Sequence, residues 1–184
     1  MSSTPQLSCA VLADQRATIV AELGEKVERD AIATLSLADR DLLGSGSLGW
    51  CDVDLAKRYK DAVGAQIGKE SLEFQRWVIK RASARTVNGL WRVLLTQVWD
   101  EALVKRIPIL YQRTFDVGAM TGEFESKGTA SVVVSGWPRI PEYDVVGLQT
   151  GIESVLQLLG RDAATATPTR TQTGVFYRVR WKAK

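Results

Sequence analysis

Apolar residues recur at spacings of three and four through most of the chain, which is the period of an amphipathic helix. The clearest stripe begins after Asp52, a residue type that caps helices, and ends at Gly68. Its members are Val53, Ala56, Tyr59, Val63 and Ile67. The same pattern predicts further helices, namely one from a cap at Asp14 to Gly24, one over 26–37, one from Ser71 to a break at Asn88-Gly89, one from a cap at Asp100 to Phe115, and one from a cap at Asp144 to Gly160. We expect Pro108 to kink or split the fourth of these.

Strand-like patterns lie at the two ends of the chain. They predict a short strand over 7–12, a hairpin after Thr121 with its turn at Lys127-Gly128, and strands over 164–170 and 174–181. Residues 38–49 read as a loop, and 90–98 is a strongly apolar segment. Because helices and strands are segregated, we predict an α+β fold with a helical subdomain packed against a small antiparallel sheet of about four strands. Residues 1–184 are predicted to form one domain, with 1–6 as a flexible N-terminus and 182–184 as a tail.

Composition excludes several chemistries. The 184 residues include no histidine, so catalysis with an imidazole base and histidine-ligated metals or haem are excluded. Two cysteines are too few for a structural zinc site or a disulfide framework, and a net charge of +3 is too small for a dedicated nucleic-acid binder. We therefore expect no enzyme, no cofactor, no metal and no nucleic-acid partner. No membrane span or targeting segment is visible in the sequence, and we expect a cytoplasmic location.

Aromatic and basic residues supply the candidate sites. The chain has six tryptophans, whose ordinary role is packing. The alternative is that Trp77, Trp91, Tyr111 and Phe115 line a cavity for an apolar ligand between helices and sheet. Arg178 and Arg180 alternate with apolar residues on the last predicted strand, so both should lie on one face of the sheet. We take these two arginines as a candidate surface for a protein partner.

Other motifs favour plain structural roles. Residues 44–49 match G-x-G-x-x-G, but the preceding segment is polar and unlike the strand that a nucleotide-binding fingerprint needs. The basic stretch from Lys80 to Arg92 is typical of a solvated face, with an anionic ligand or acidic partner as the alternative. Glu123 and Glu125 should lie exposed on one strand. Cys51 stands near a helix start, which favours a thiolate, but we expect a buried or half-buried inert thiol.

The chain resembles a family of myxobacterial proteins that is similar to the superfamily of haem nitric-oxide-binding domains, 4-vinyl reductase domains and TRAPP vesicle-tethering subunits. The segments that carry the resemblance are WCDVDL (50–55), ASARTVNG (82–89), VWDEAL (98–103), RIPILY (106–111), FDVG (115–118), 147–160 and 174–181. The resemblance implies a helical subdomain on an antiparallel sheet, frequent dimers and a buried apolar cavity. It also implies that haem is absent, because the proximal histidine and the Tyr-x-Ser-x-Arg motif of the haem-binding members are missing. Val175 stands where many relatives have a cysteine.

These observations lead to two hypotheses of different kinds. The first is a non-enzymatic regulatory or scaffold module that binds protein partners, as a homodimer or within a complex. The second is a sensor or carrier of a small apolar ligand held in a cavity between helices and sheet. An enzyme is disfavoured because no acid, base or nucleophile can be assigned.

Overall fold

The computed structural model describes residues 4–44, 49–86 and 100–182. Its helices, numbered in chain order, are α1 (Cys9–Leu23), α2 (Glu25–Ala33), α3 (Leu37–Gly44), α4 (Val53–Gln66), α5 (Ser71–Thr86), α6 (Asp100–Val104), α7 (Ile107–Gln112) and α8 (Glu142–Leu158). Its strands are β1 (Gln6–Ser8), β2 (Trp50–Asp52), β3 (Ala119–Ser126), β4 (Thr129–Ser135), β5 (Thr165–Arg170) and β6 (Val175–Arg180). The predicted α+β class is confirmed. The predicted break at Asn88-Gly89 and the apolar segment 90–98 lie outside the described residues.

As predicted, four strands form an antiparallel sheet; their order is β3-β4-β6-β5. The hairpin turns at Lys127 and Gly128, where Gly128 has a φ of 87°, a conformation that glycine adopts without strain. Alternation gives the sheet an inner and an outer face. The inner face is buried and includes Val132, Val134, Val175, Tyr177 and Val179. Tyr177 Oη donates a hydrogen bond to the Val145 carbonyl at 3.0 Å, which joins this face to α8.

The N-terminal prediction was wrong in detail. Only Gln6–Ser8 is a strand, and it pairs antiparallel with β2 in a separate two-stranded sheet. The run LSCAVL enters α1 at Cys9, so Asp14 lies inside the helix and is not its cap. A short apolar run fits a strand or a buried helix equally well, and periodicity alone does not separate them.

The predicted loop 38–49 is also corrected, because Leu37–Gly44 form α3. Ser36 Oγ accepts a hydrogen bond from the Asp39 amide at 3.1 Å and so caps this helix. The Asp39 carboxylate in turn accepts hydrogen bonds from Arg58 Nε at 3.1 Å and from a terminal guanidinium nitrogen at 2.7 Å. This bidentate pair ties α3 to α4. The preceding helix is correspondingly shorter than predicted and ends at Ala33.

Caps and breaks elsewhere follow the sequence closely. Asp52 accepts a hydrogen bond from the Asp54 amide at 2.7 Å and caps α4, as predicted. Pro108 lies in the first turn of α7, so the predicted helix is split rather than kinked. The prediction that Asp144 caps α8 was wrong: Pro141 is the cap residue, and Asp144 is the third residue of the helix. None of the helices in the described ranges combines the length and apolar character needed to cross a membrane.

Candidate functional site

A lysine is buried in the helical part of the molecule. Lys60 follows Ala56 by one turn of α4 on the stripe that faces the core, and its side chain is only 3% exposed. Its ammonium donates a hydrogen bond to Gln15 Oε1 on α1 at 3.2 Å. It also lies 5.1 Å from the centre of the Tyr143 ring, within the range of a cation–π contact. We call Gln15, Lys60, Tyr143 and Asp144 the buried polar cluster.

Burial shifts the titration of both charged members of this cluster. It lowers the pKa of Lys60 to about 8, against the opposing attraction of Asp144, Asp61 and Cys51. It raises the pKa of Asp144 to about 6, and Lys60 opposes that shift as well. At neutral pH the ammonium and the carboxylate are therefore both charged, and their mutual attraction offsets part of the cost of burying each. Among the described residues, Tyr143 Oη is a buried atom without a hydrogen-bond partner.

A cleft of about 360 Å³ opens beside this cluster, between α1, α3 and α4. Its lining is mostly apolar with two thiols and one guanidinium: Cys9, Leu12, Ala13, Arg16, Leu42, Leu43, Gly44, Cys51 and Leu55. We call it the thiol cleft. Cys51 and Lys60 each influence the pKa of the other, so the cleft and the buried polar cluster are electrostatic neighbours.

The polar groups of the thiol cleft are held by internal contacts. Cys51 Sγ donates a hydrogen bond to the Leu7 carbonyl at 3.3 Å. Burial, reinforced by the adjacent Cys9 thiol, raises the pKa of Cys51 to about 12, so it is a protonated thiol at neutral pH. Arg16 donates from Nε to Glu28 Oε1 at 2.8 Å and from Nη1 to the Leu43 carbonyl at 2.9 Å. These bonds fix the guanidinium at the edge of the cleft.

A second concave region lies on the outer face of the four-stranded sheet. Its volume is about 480 Å³, and it is lined by Thr167, Thr169, Phe176, Arg178 and Arg180. Both arginines of the predicted partner surface are exposed and share this face, as the alternation of β6 requires.

The predicted aromatic lining is distributed over separate packing contacts. Trp77 stacks on Phe74 of the same helix, with ring centres 5.4 Å apart. Tyr111 lies 5.4 Å from Phe115, and its hydroxyl donates to the Val117 carbonyl at 2.7 Å. Trp91 lies outside the described residues. Three of the four predicted residues therefore pack against neighbouring side chains. That they bind a ligand remains a prediction.

The remaining motifs take ordinary positions. The G-x-G-x-x-G segment follows α3 and leads into β2, and its central residues 45–48 lie outside the described ranges. It therefore lacks the strand before it and the helix opening at it that bind a dinucleotide. In the basic stretch, Arg81 pairs weakly with Glu22 at 3.9 Å, and Arg92 is not described.

Neither the thiol cleft nor the buried polar cluster was predicted from the sequence. Lys60 carried a usable signal, since a lysine one turn after Ala56 and one turn before Val63 falls within an apolar stripe. The cleft carried none, because its wall α3 had been interpreted as a loop.

No family model matches the chain, and no curated protein matches it. Solved structures do match. One of them comes from work on modulating haem redox potential through protein-induced porphyrin distortion. It is 9% identical to this chain, the match covers 95% of this chain and 99% of that chain, and the TM-score is 0.68. An oxygen-binding H-NOX domain related to soluble guanylate cyclases, in its oxygen complex, is 11% identical over 96% and 95% of the two chains, with a TM-score of 0.67. An Fe(II) unliganded H-NOX protein from K. algicida is 10% identical over 96% and 97%, with a TM-score of 0.65.

The residues of this chain do not fit a haem. Haem iron is held by histidine, thiolate, methionine or tyrosinate ligands. The chain has no histidine, and the Cys51 thiol is protonated and bonded to a carbonyl. The hydroxyls of Tyr59, Tyr111 and Tyr177 donate to protein oxygens, and burial raises the pKa of all four tyrosines, Tyr143 included. Over the residues that the structure describes, the chain has the fold of an H-NOX domain without the histidine that could ligate a haem iron.

Proposed function

We propose that this chain is a non-enzymatic module that senses or carries a small, mostly apolar ligand in the thiol cleft. The observation that carries the proposal is the cleft, with a volume of about 360 Å³ and a lining that is mostly leucine and alanine with a few fixed polar groups. Ligand sites in proteins are concave and mostly apolar, with a small number of oriented polar groups, and their volumes begin at about 300 Å³.

The fold supports a sensing role. One neighbour of this fold is an oxygen-binding domain, so the architecture is compatible with holding a small molecule. Because this chain does not fit a haem, its ligand would contact the protein directly. We propose that the ligand is recognised by the leucines of α1, α3 and α4, with Arg16 facing any acceptor group that the ligand carries.

The position of α4 suggests how binding is transmitted. Leu55 lines the cleft, Arg58 holds α3 through Asp39, and Lys60 belongs to the buried polar cluster. A ligand that separates α3 from α1 would therefore act on a helix whose next turn carries a buried charge. We infer that occupancy of the cleft is read out through α4.

The test uses 1-anilinonaphthalene-8-sulfonate as the probe, since it combines apolar rings with an acceptor group. We expect the probe to bind the purified protein with a rise in fluorescence, and Ala13→Trp to weaken binding at least 10-fold by filling the cleft. Ala17→Trp is the matched control, because Ala17 lies one turn further along α1 and is exposed. Leu42→Glu at the mouth of the cleft is a second variant, since Leu42 is 57% exposed and tolerates a polar replacement. Equal binding by wild type, both cleft variants and the control would contradict the proposal.

A second candidate function is docking on a protein partner through the outer face of the sheet. The groove beside Arg178 and Arg180 is the observation that favours it. Two neighbouring guanidinium groups on a rigid strand suit a partner surface that presents carboxylates at matching spacing.

A further inference from the structure

Charges of opposite sign lie on the two sides of the outer sheet face. Glu123 on β3 is opposite Ser131 on β4, and Ser131 is opposite Arg178 on β6. These three residues form one row across the sheet, with both charged side chains exposed. Neighbouring strands are about 4.8 Å apart, so the carboxylate and the guanidinium arise from strands about 10 Å apart.

The middle of this face carries short side chains. The outer residues of β4 are Thr129, Ser131 and Val133, which lie between the acidic edge strand β3 and the basic inner strand β6. Long charged side chains on both sides of a strand of short ones leave a shallow trough. A facing surface with its own short residues at the centre could therefore approach closely.

We propose that the outer face of this sheet binds a second copy of the chain, face to face, about a two-fold axis that runs parallel to β4. Rotation about this axis lays β6 of the second copy over β3 of the first. Arg178 of each copy then faces Glu123 of the other, and Ser131 faces its own equivalent on the axis. The proposal rests on the partner-docking candidate and names the partner; it is independent of ligand binding in the thiol cleft.

The charge pattern is what selects a second copy as the occupant. A partner surface of a single sign would satisfy one edge of the face and repel the other. The same face rotated by half a turn satisfies both edges at once, which is the self-complementarity that an isologous interface requires. Sheets packed in this way align within about 30° of one another, at a separation of about 10 Å.

The size of the face sets the expected affinity. With the axis over β4, three strands of each copy overlap, and at about six residues each they make a face of roughly 15 Å by 20 Å. Two such faces would bury about 600 Å² in total, which is less than most specific interfaces and fits a weak association. We therefore expect a weak dimer with a Kd of about 100 μM, weakened further by salt because its charged pairs lie near the rim.

Sedimentation equilibrium of the whole chain from about 1 to about 300 μM tests the proposal, a range chosen around the expected Kd. We expect the wild type to dimerise, and Arg178→Glu or Glu123→Arg to raise the Kd at least 10-fold, because each places like charges opposite one another. The matched controls are Arg139→Glu and Glu25→Arg, exposed charges away from this face, which should leave the Kd within about 2-fold.

The two single variants also supply a rescue. An equimolar mixture of R178E and E123R places opposite charges together at both contacts, so we expect a heterodimer at the wild-type Kd. A wild type that stays monomeric throughout the range, or a dimer that neither variant weakens, overturns the proposal. A mixture that fails to recover dimers overturns it as well. The R178E variant should bind the fluorescent probe in the thiol cleft as the wild type does. If the chain does not dimerise, the proposal of ligand binding is therefore unaffected.

Discussion

At the scale of single residues, the buried pair Lys60 and Asp144 is the most consequential feature. Both side chains lie in the interior, at 3% and 9% exposure, and each carries its charge at neutral pH. Burying a charged pair is often no better than burying apolar residues, but removing one member leaves the other uncompensated. The free energy of unfolding should therefore respond far more to a single substitution here than to a double one.

We predict that Lys60→Met lowers the free energy of unfolding by about 3 kcal/mol at pH 7, because Asp144 loses its counter-charge. The double variant Lys60→Met with Asp144→Asn should recover most of that loss. Lys80→Met is the control, since Lys80 lies exposed on α5. Urea unfolding of the four proteins measures these differences. Equal losses in the single and the double variant would contradict the pairing.

At the scale of elements, close packing of α5 on α8 organises the helical side. A Cβ added at Gly147 of α8 would lie 2.7 Å from Gln75 Nε2 and 3.2 Å from Ile79 Cδ1 of α5. Gln75 is itself buried, so it has little room to move. At Gly151, one turn further along α8, an added Cβ would meet no atom within 4 Å. Two glycines of one helix thus lie in opposite environments.

We predict that Gly151→Ala raises the free energy of unfolding by about 0.5–1 kcal/mol, since alanine favours the helix. Gly147→Ala should instead lower it by about 1 kcal/mol, because overpacking outweighs the same helical gain. Because both variants replace glycine by alanine in the same helix, each controls for the helix propensity of the other. Thermal or urea unfolding measures the expected difference of about 2 kcal/mol between their free energies of unfolding. Equal gains at both positions would show that the α5–α8 interface is loosely packed.

The elements also show what could be predicted from the sequence. The hairpin and α8 were found because Val132, Val134 and the stripe through Ile152 repeat at the strand and helix periods. α3 was missed because it has only eight residues and its cap, Ser36, is followed by a segment rich in charge. β2 was missed because three residues that pair with a distant strand have no local signature. The thiol cleft, which both of these missed elements help to line, could not be predicted for the same reason.

At the scale of the whole molecule, the helices and the strands are segregated, and α6, α7 and α8 pack on the sheet. Tyr177 binds the α8 carbonyl of Val145, and Glu153 of α8 accepts a hydrogen bond from the Ala166 amide of β5 at 2.9 Å. The proposed ligand cleft lies on the helical side, whereas the proposed dimer face lies on the outer side of the sheet. Segregation of helices and strands was visible in the sequence, but this division of sites depends on tertiary packing.

The stability of the whole chain should depend on pH through Asp144. Its pKa is raised by burial from an ordinary value near 4 to about 6, so the folded state binds this proton more tightly than the unfolded state. The contribution is therefore full below about pH 4 and is lost as the pH rises through about 6, with a limit of about 3 kcal/mol. Asp144→Asn should flatten the curve of unfolding free energy between pH 4 and pH 6, and Asp41→Asn, at an exposed position, should not. If the unfolding free energy of the Asp144→Asn variant still changes with pH between pH 4 and pH 6, other carboxylates cause the dependence.

The buried polar cluster has a last consequence that follows from the missing imidazoles. In most proteins histidine supplies the protons exchanged between pH 6 and pH 8. This chain has none, yet Asp144 and Lys60 titrate at about 6 and about 8. Part of its buffering near neutrality therefore comes from the interior of the molecule. A change of pH between about 6 and about 8 would therefore alter the charge in the interior, where α1, α4 and α8 meet.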